Sequence, residues 1–194
     1  GKSSFTLANA IEAAEDVYRT AIFSLQISKA QWYHRRIGYI GEINTQKISR
    51  GYGSDDELRK MVKASDKLES LPIWVIDNPG LTIGEIRAKA RRLVRTENVE
   101  QIFVDYLQLV NSGGDHGTRE QEVAHISRQL KVMAKDLNVP VIALSQLNRK
   151  SLNRGGGKRP SLSDLRESGA LEQDADIVAF IHRPERLDIE KHDI

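Results

Sequence analysis

The chain has 194 residues, 39% hydrophobic and 29% charged, with a formal net charge of +2 and Cys 0. That balance excludes a disordered chain, and without cysteine there are no disulfides, thiolate metal sites or thiol nucleophiles, which fits a reducing cytoplasm. No apolar run approaches the roughly 20 residues of a spanning helix, no signal-peptide pattern opens the chain, and the charge is too small to indicate nucleic acid by itself.

In chain order, Gly1-Lys2-Ser3-Ser4 leads into an amphipathic helical stretch at 5–14. This is how the closing half of a phosphate-binding loop reads, although an ordinary helix cap or a tag remnant looks the same locally. In the first reading, N–H groups at the helix start hold phosphate oxygens, Lys2 reaches the terminal phosphates and the Ser3 hydroxyl ligates Mg²⁺. Apolar runs rich in branched residues follow at 21–25, 73–76, 102–104, 139–144 and 177–181, each the length of a buried strand. Helical spacing fills 28–40, 55–71, 82–96 and 119–137, the last with Val123, Ile126, Leu130, Met133, Ala134 and Leu137 on one face. Alternating strands and helices predict an α/β domain over 1–194, a mostly parallel sheet flanked by helices. Turns are expected at Asn78-Pro79-Gly80, Asn111-Ser112-Gly113-Gly114 and Gly155-Gly156-Gly157.

A phosphate-loop ATPase also needs an acid at the end of a buried strand to order the magnesium. Two strands end that way, at Asp77 and at Asp105. Asp77 precedes Asn-Pro-Gly and would serve equally as a turn initiator, whereas Asp105 leads into the apolar Tyr106-Leu107-Gln108-Leu109. Asp105 is therefore favoured. The loop at 148–160 carries Arg149, Lys150, Arg154, Lys158 and Arg159 with no acid to offset them; it is a solvated cationic loop or an aid to nucleic-acid binding. Arg87, Lys89, Arg91, Arg92 and Arg95 are expected on a solvated or subunit-facing helix surface. His34, His116, His125, His182 and His192 have no metal-ligand spacing.

Four blocks, IFSLQIS at 22–28, FVDYLQLV at 103–110, VPVIALSQLNR at 139–149 and KRPSLSDLRESGALEQDADIVAF at 158–180, together resemble the motor domain of DnaB-type replicative helicases over nearly the whole chain. The resemblance implies a RecA-like P-loop fold, ATP and Mg²⁺ as ligands, and a homo-hexameric ring around single-stranded DNA. It further implies 5′ to 3′ unwinding at a replication fork, with primase and a helicase loader as partners, in a bacterial or phage-infected cell and near the nucleoid. It implies that Gly1, Lys2, Ser3 and Ser4 hold nucleotide, that Ser3 and Asp105 hold the metal, and that Gln146 senses the terminal phosphate and relays its loss to the DNA loops. Arg35 would stand near the nucleotide. Arg166, Glu167 and Gly169 would line the DNA channel, with Glu167 fixing loop geometry.

Two departures follow from the same resemblance. Gln26 stands where the family has its catalytic glutamate; an amide can orient water but cannot accept its proton, which suggests slowed turnover. The family's first strand and its last strands, with a Lys-x-Arg pair that reaches the next subunit's ATP, are expected outside this chain, truncating the fold at both ends. Two rivals remain: a recombinase or clock-type relative of the same fold, against which the ESGALEQDAD run argues, and a hydrolysis-impaired ATP- and DNA-binding ring module, which Gln26 supports.

Overall fold

The computed structural model describes residues 2–114, 116–147, 161–162, 165 and 169–181, with residues 2–7 described by their backbone. Four strands, β1 (Thr20–Ser24), β2 (Ile73–Ile76), β3 (Gln101–Asp105) and β4 (Val141–Ala143), form one sheet in the order β2-β1-β3-β4. Every ladder is parallel. Thr20 pairs with both Ile73 and Gln101, and Ser24 pairs with Asp105, so the carboxyl ends of the three longest strands lie level.

Parallel pairing forces each connection to cross back over the sheet, and helices make those crossings. After α1 (Lys2–Glu15), which precedes β1, the helices α2 (Lys29–Ile40), α3 (Thr45–Ser49) and α4 (Asp55–Ser70) lead to β2, α5 (Ile83–Glu97) to β3 and α6 (Arg119–Leu137) to β4, and α7 (Gly169–Asp174) follows. Side chains alternate across a strand, and here each face has its own core. Ala21, Phe23, Ile102 and Val104 pack against Ile83, Ile86 and Ala90 of α5 and Val123, Ile126, Leu130 and Met133 of α6. Ile22, Val75 and Phe103 point the other way, onto Ala10 of α1, Trp32 of α2 and Leu68 of α4. This double coverage is why β1 is buried at every position and reads as a continuous apolar run.

Local chemistry sets the helix ends. Ser54 with Glu57, Thr82 with Glu85 and Thr118 with Gln121 form reciprocal capping boxes that satisfy the first N–H groups of α4, α5 and α6. Asn98 (φ 52) and Asn138 (φ 53) close α5 and α6 in the left-handed conformation, which asparagine tolerates better than most residues. Arg87 departs from the expected solvated surface: it donates to Gln129 at 2.6 Å and pairs with Asp136 at 3.1 Å, tying α5 to α6.

The expected strand at 177–181 does not form. Those residues form no regular element and belong to no ladder, and Ile177 is 87% exposed. A branched apolar run becomes a strand only where a neighbour offers a ladder, and among the described residues none pairs with this one. Among the described residues, no helix is long and apolar enough to cross a membrane.

Candidate nucleotide site at the carboxyl edge

In open parallel α/β sheets, ligands collect beyond the carboxyl ends of the strands. Asp105, Gln26 and Gln146 lie at or just past the carboxyl ends of neighbouring strands. Asp105 is the last residue of β3 and only 2% exposed; a cis peptide joins it to Tyr106. Its carbonyl accepts the Leu25 N–H at 2.9 Å, so the exit of β1 is fastened directly to it. On the other side of Gln26, the Ser24 hydroxyl donates to the Ile27 carbonyl at 2.8 Å. Gln26 thus rides in a bend pinned before and after it, with its side chain exposed next to the Asp105 strand end.

The competing acid, Asp77, follows β2 and has another task. Its Oδ2 accepts the Lys29 N–H at 2.6 Å, satisfying the first turn of α2 beside the Ser28 cap. A carboxylate at a helix N-terminus is stabilised by the unpaired N–H groups there. Asp77 thus serves a helix start from a half-buried position just past β2, whereas Asp105 is buried as the last residue of β3.

Gln146 lies beyond β4 with its side chain exposed, and its backbone is held by the side chain of Gln108. Gln108 belongs to a 3-10 turn (Leu107–Leu109) that begins just past Asp105. The sequence reading passed over Gln108, since one amide in an apolar run has no motif to mark it.

The start of α1 is placed by its length and its other end. Ala10 packs on Ile22 and Phe103 in mid-sheet. Asn9, Glu12, Ala13 and Asp16 line a cavity with Val99, Glu100, Gln101, Asn138, Val139 and Pro140, the amino-terminal approaches to β3 and β4. A helix of 14 residues is about 21 Å long, more than the roughly 17 Å of a five-residue strand. Its first turn therefore reaches the carboxyl edge, where Lys2, Ser3 and Ser4 begin the helix; the side chains of those three are not among the described ones.

Of the other predicted residues, Arg35 and Gly169 are described elsewhere in the fold and the rest are not described. Arg35 is exposed in the middle of α2, and its neighbour Arg36 turns inward at 5% exposure with its guanidinium 5.7 Å from the Tyr39 ring centre. Burial pushes the Arg36 pKa down, and Arg35 adds to that while Tyr39 opposes it. Gly169 is exposed at the first position of α7, which packs on α6; Leu171 joins the core, and Lys131 of α6 pairs with Asp176. Gly1, Arg166, Glu167 and the cationic loop at 148–160 lie outside the described residues.

At this edge the described donor set for a metal is an oxygen, the buried Asp105 carboxylate at the end of β3. This set fits Mg²⁺, which is held by one or two carboxylates together with nucleotide phosphates. Among the described residues, no group of three or more His, Cys, Asp or Glu could hold an ion without such phosphates.

Comparison with known proteins gives this edge a context. The model of the DnaB-like helicase C-terminal domain family matches residues 1–193. The replicative DNA helicase DnaB of Mycobacterium leprae (strain TN) is 44% identical over 169 residues, 87% of this chain and 28% of that protein. The replicative DNA helicase DnaC of Bacillus subtilis (strain 168) is 43% identical over 192 residues, 98% of this chain and 42% of its own length. This chain thus spans less than half of either relative. Among solved structures, an ATPase domain superposes with a TM-score of 0.91 at 37% identity, covering 98% of this chain and 68% of that one. A DnaB-like replicative helicase, studied with its interactions with primase, gives 0.90 at 37% identity, covering 98% of this chain and 47% of that one.

Proposed function

This chain belongs to the DnaB-like helicase C-terminal domain family, and from that premise we propose that it is the ATP-driven motor of a replicative DNA helicase. In this reading it assembles as a homo-hexamer, moves along single-stranded DNA in the cytoplasm, and meets a primase and a loader. The observation that supports the reading is the carboxyl edge, where the pinned Gln26 bend, buried Asp105 and Gln146 lie at or just past the ends of neighbouring strands and toward which the length of α1 carries its first turn.

The N–H groups opening α1 bind phosphate oxygens, and Lys2 adds a cation to the terminal phosphates. Ser3 and Asp105 hold Mg²⁺, which when bound offsets the charge on the transferred phosphoryl group. Gln26 orients the attacking water without accepting its proton. Gln146 touches the terminal phosphate, and Arg166, Glu167 and Gly169 follow the DNA backbone without reading bases. Arg35 is assigned to the nucleotide from resemblance alone, since the fold leaves it in mid-helix and exposed.

A second reading, a hydrolysis-impaired ring module that binds ATP and DNA, is favoured by one observation: an amide, not a carboxylate, occupies the bend beside Asp105. Steady-state ATP hydrolysis and strand separation by the full-length protein, each with and without single-stranded DNA, separate the two. The motor reading predicts slow but DNA-stimulated turnover, raised about 10²- to 10⁴-fold by Gln26→Glu. Equal rates for the two proteins would mean that Gln26 is not where a base acts, and nucleotide binding without turnover would select the second reading.

A further inference from the structure

The β4 ladder ends at Ala143, paired with Val104. One residue on, backbone bonds still join the two strand exits: the Leu144 N–H reaches the Val104 carbonyl at 3.0 Å, and the Leu107 N–H reaches the Leu144 carbonyl at 2.8 Å. At the next two residues a side chain stands where a neighbouring strand would. The Gln108 Oε1 accepts the Gln146 N–H at 3.3 Å, while its Nε2 donates to the Ser145 hydroxyl at 2.9 Å and to the Gln146 carbonyl at 3.4 Å. Only a carboxamide supplies both an acceptor and a donor pair from one planar group; glutamate offers acceptors alone and leucine neither.

Gln108 is itself tied to α6. Its backbone carbonyl accepts from the Arg119 guanidinium, which also pairs with Glu122 in the first turn of that helix. Glu122 in turn accepts from the Ser112 hydroxyl at 3.2 Å. Partial burial works to raise the Glu122 pKa, but hydrogen bonds from Arg119 and Ser112 outweigh it and hold the carboxyl below its ordinary range. The same helix carries α7, which begins at Gly169.

We propose that Gln108 is a positioning residue that fixes the Gln146 segment against the Asp105 strand exit and, through Arg119, makes its position move with α6. The proposal rests on the reading of Gln146 as the phosphate-sensing residue. It predicts that Gln108 acts on coupling to DNA through Gln146, and that removing the amide leaves nucleotide affinity in place.

The test uses the full-length protein with ATP, Mg²⁺ and single-stranded DNA, comparing Gln108→Leu, Gln108→Glu, Gln146→Ala and the double variant Gln108→Leu with Gln146→Ala. Two things are measured: hydrogen exchange at the Gln146 amide, and the DNA-stimulated rate with its KM for ATP. The expected result is about tenfold faster exchange in Gln108→Leu and a DNA-stimulated kcat lower by about fivefold or more at unchanged KM. Gln108→Glu, which keeps the acceptor, should protect the amide better than leucine does. In the Gln146→Ala background, Gln108→Leu should have no further effect, whereas a merely structural role would give additive losses. Unchanged exchange in Gln108→Leu, or additive losses in the double variant, overturns the proposal. If exchange rises but Gln146→Ala alone leaves DNA stimulation intact, the clamp stands and the phosphate-sensing reading of Gln146 is what fails.

Discussion

Replacing Ser24 with alanine perturbs the Gln26 bend without touching Gln26. The Ser24 hydroxyl is the donor to the Ile27 carbonyl at 2.8 Å, at a residue only 2% exposed. Losing a neutral hydrogen bond of this kind costs about 1–2 kcal/mol, the upper end applying when the acceptor stays shielded from water. For a domain of this size the loss corresponds to a Tm lower by roughly 2–8 °C. The Leu25 anchor on the Asp105 carbonyl remains, so the bend should loosen on its far side only and let Gln26 drift. A misplacement near 1 Å costs on the order of 10²-fold in rate, and a partial release should lower single-turnover ATP hydrolysis by about tenfold with nucleotide affinity unchanged. Thermal unfolding and single-turnover hydrolysis of the full-length protein measure both effects. A full hydrolysis rate at a lowered Tm would refute the claim that this anchor sets the place of Gln26; an unchanged Tm would refute the worth given to the hydrogen bond.

Two further perturbations probe the frame behind the site. Ile86 is 0% exposed on the α5 side of the sheet, so Ile86→Ala should cost about 2–5 kcal/mol, read as a lower urea midpoint at unchanged slope; a loss under about 1 kcal/mol would show that this core is not tightly packed. His125 stacks on His116 with ring centres 4.3 Å apart, and burial, His116 and Arg128 together push its pKa down. The unfolded chain therefore takes up a proton near the ordinary value of about 6.5 before the folded one does. Stability from this group is present above that pH and declines as pH falls through the folded value. His125→Gln should flatten the decline in Tm on acidification below about pH 6.5, and an unaltered slope would assign the acid sensitivity elsewhere.

What could be read from the sequence was whatever depends on burial and on the period it leaves in the apolar residues. The runs at 21–25, 73–76 and 102–104 are strands because both faces of the sheet are covered, and such burial leaves an unbroken apolar signature. The helix starting at Arg119 was legible because Val123, Ile126, Leu130 and Met133 recur on one face, the face that the structure buries against the sheet. The run at 177–181 has the same composition as a strand but no ladder among the described residues; pairing is a property of the neighbour, which composition does not encode. The same limit applies at the site. Asp77 and Asp105 follow similar apolar runs, and what distinguishes them is tertiary: Asp77 is half-buried and accepts the Lys29 N–H, while Asp105 is buried as the last residue of β3. Ser24 and Gln108 escaped notice for the same reason, because their roles are contacts between one strand exit and another. The short α3 and the 3-10 turn after Asp105 were missed because neither is long enough to show a period.

The central claim is that the carboxyl edge of this sheet holds nucleotide and metal. The most direct measurement is a structure of the full-length protein with a non-hydrolysable ATP analogue and Mg²⁺. The account predicts phosphates at the first turn of α1, the metal on the Asp105 side and Gln26 and Gln146 facing the terminal phosphate. An analogue seated elsewhere, for example in the cavity between Glu12 and Glu100 at the opposite edge, with Asp105 remote from the metal, would contradict it.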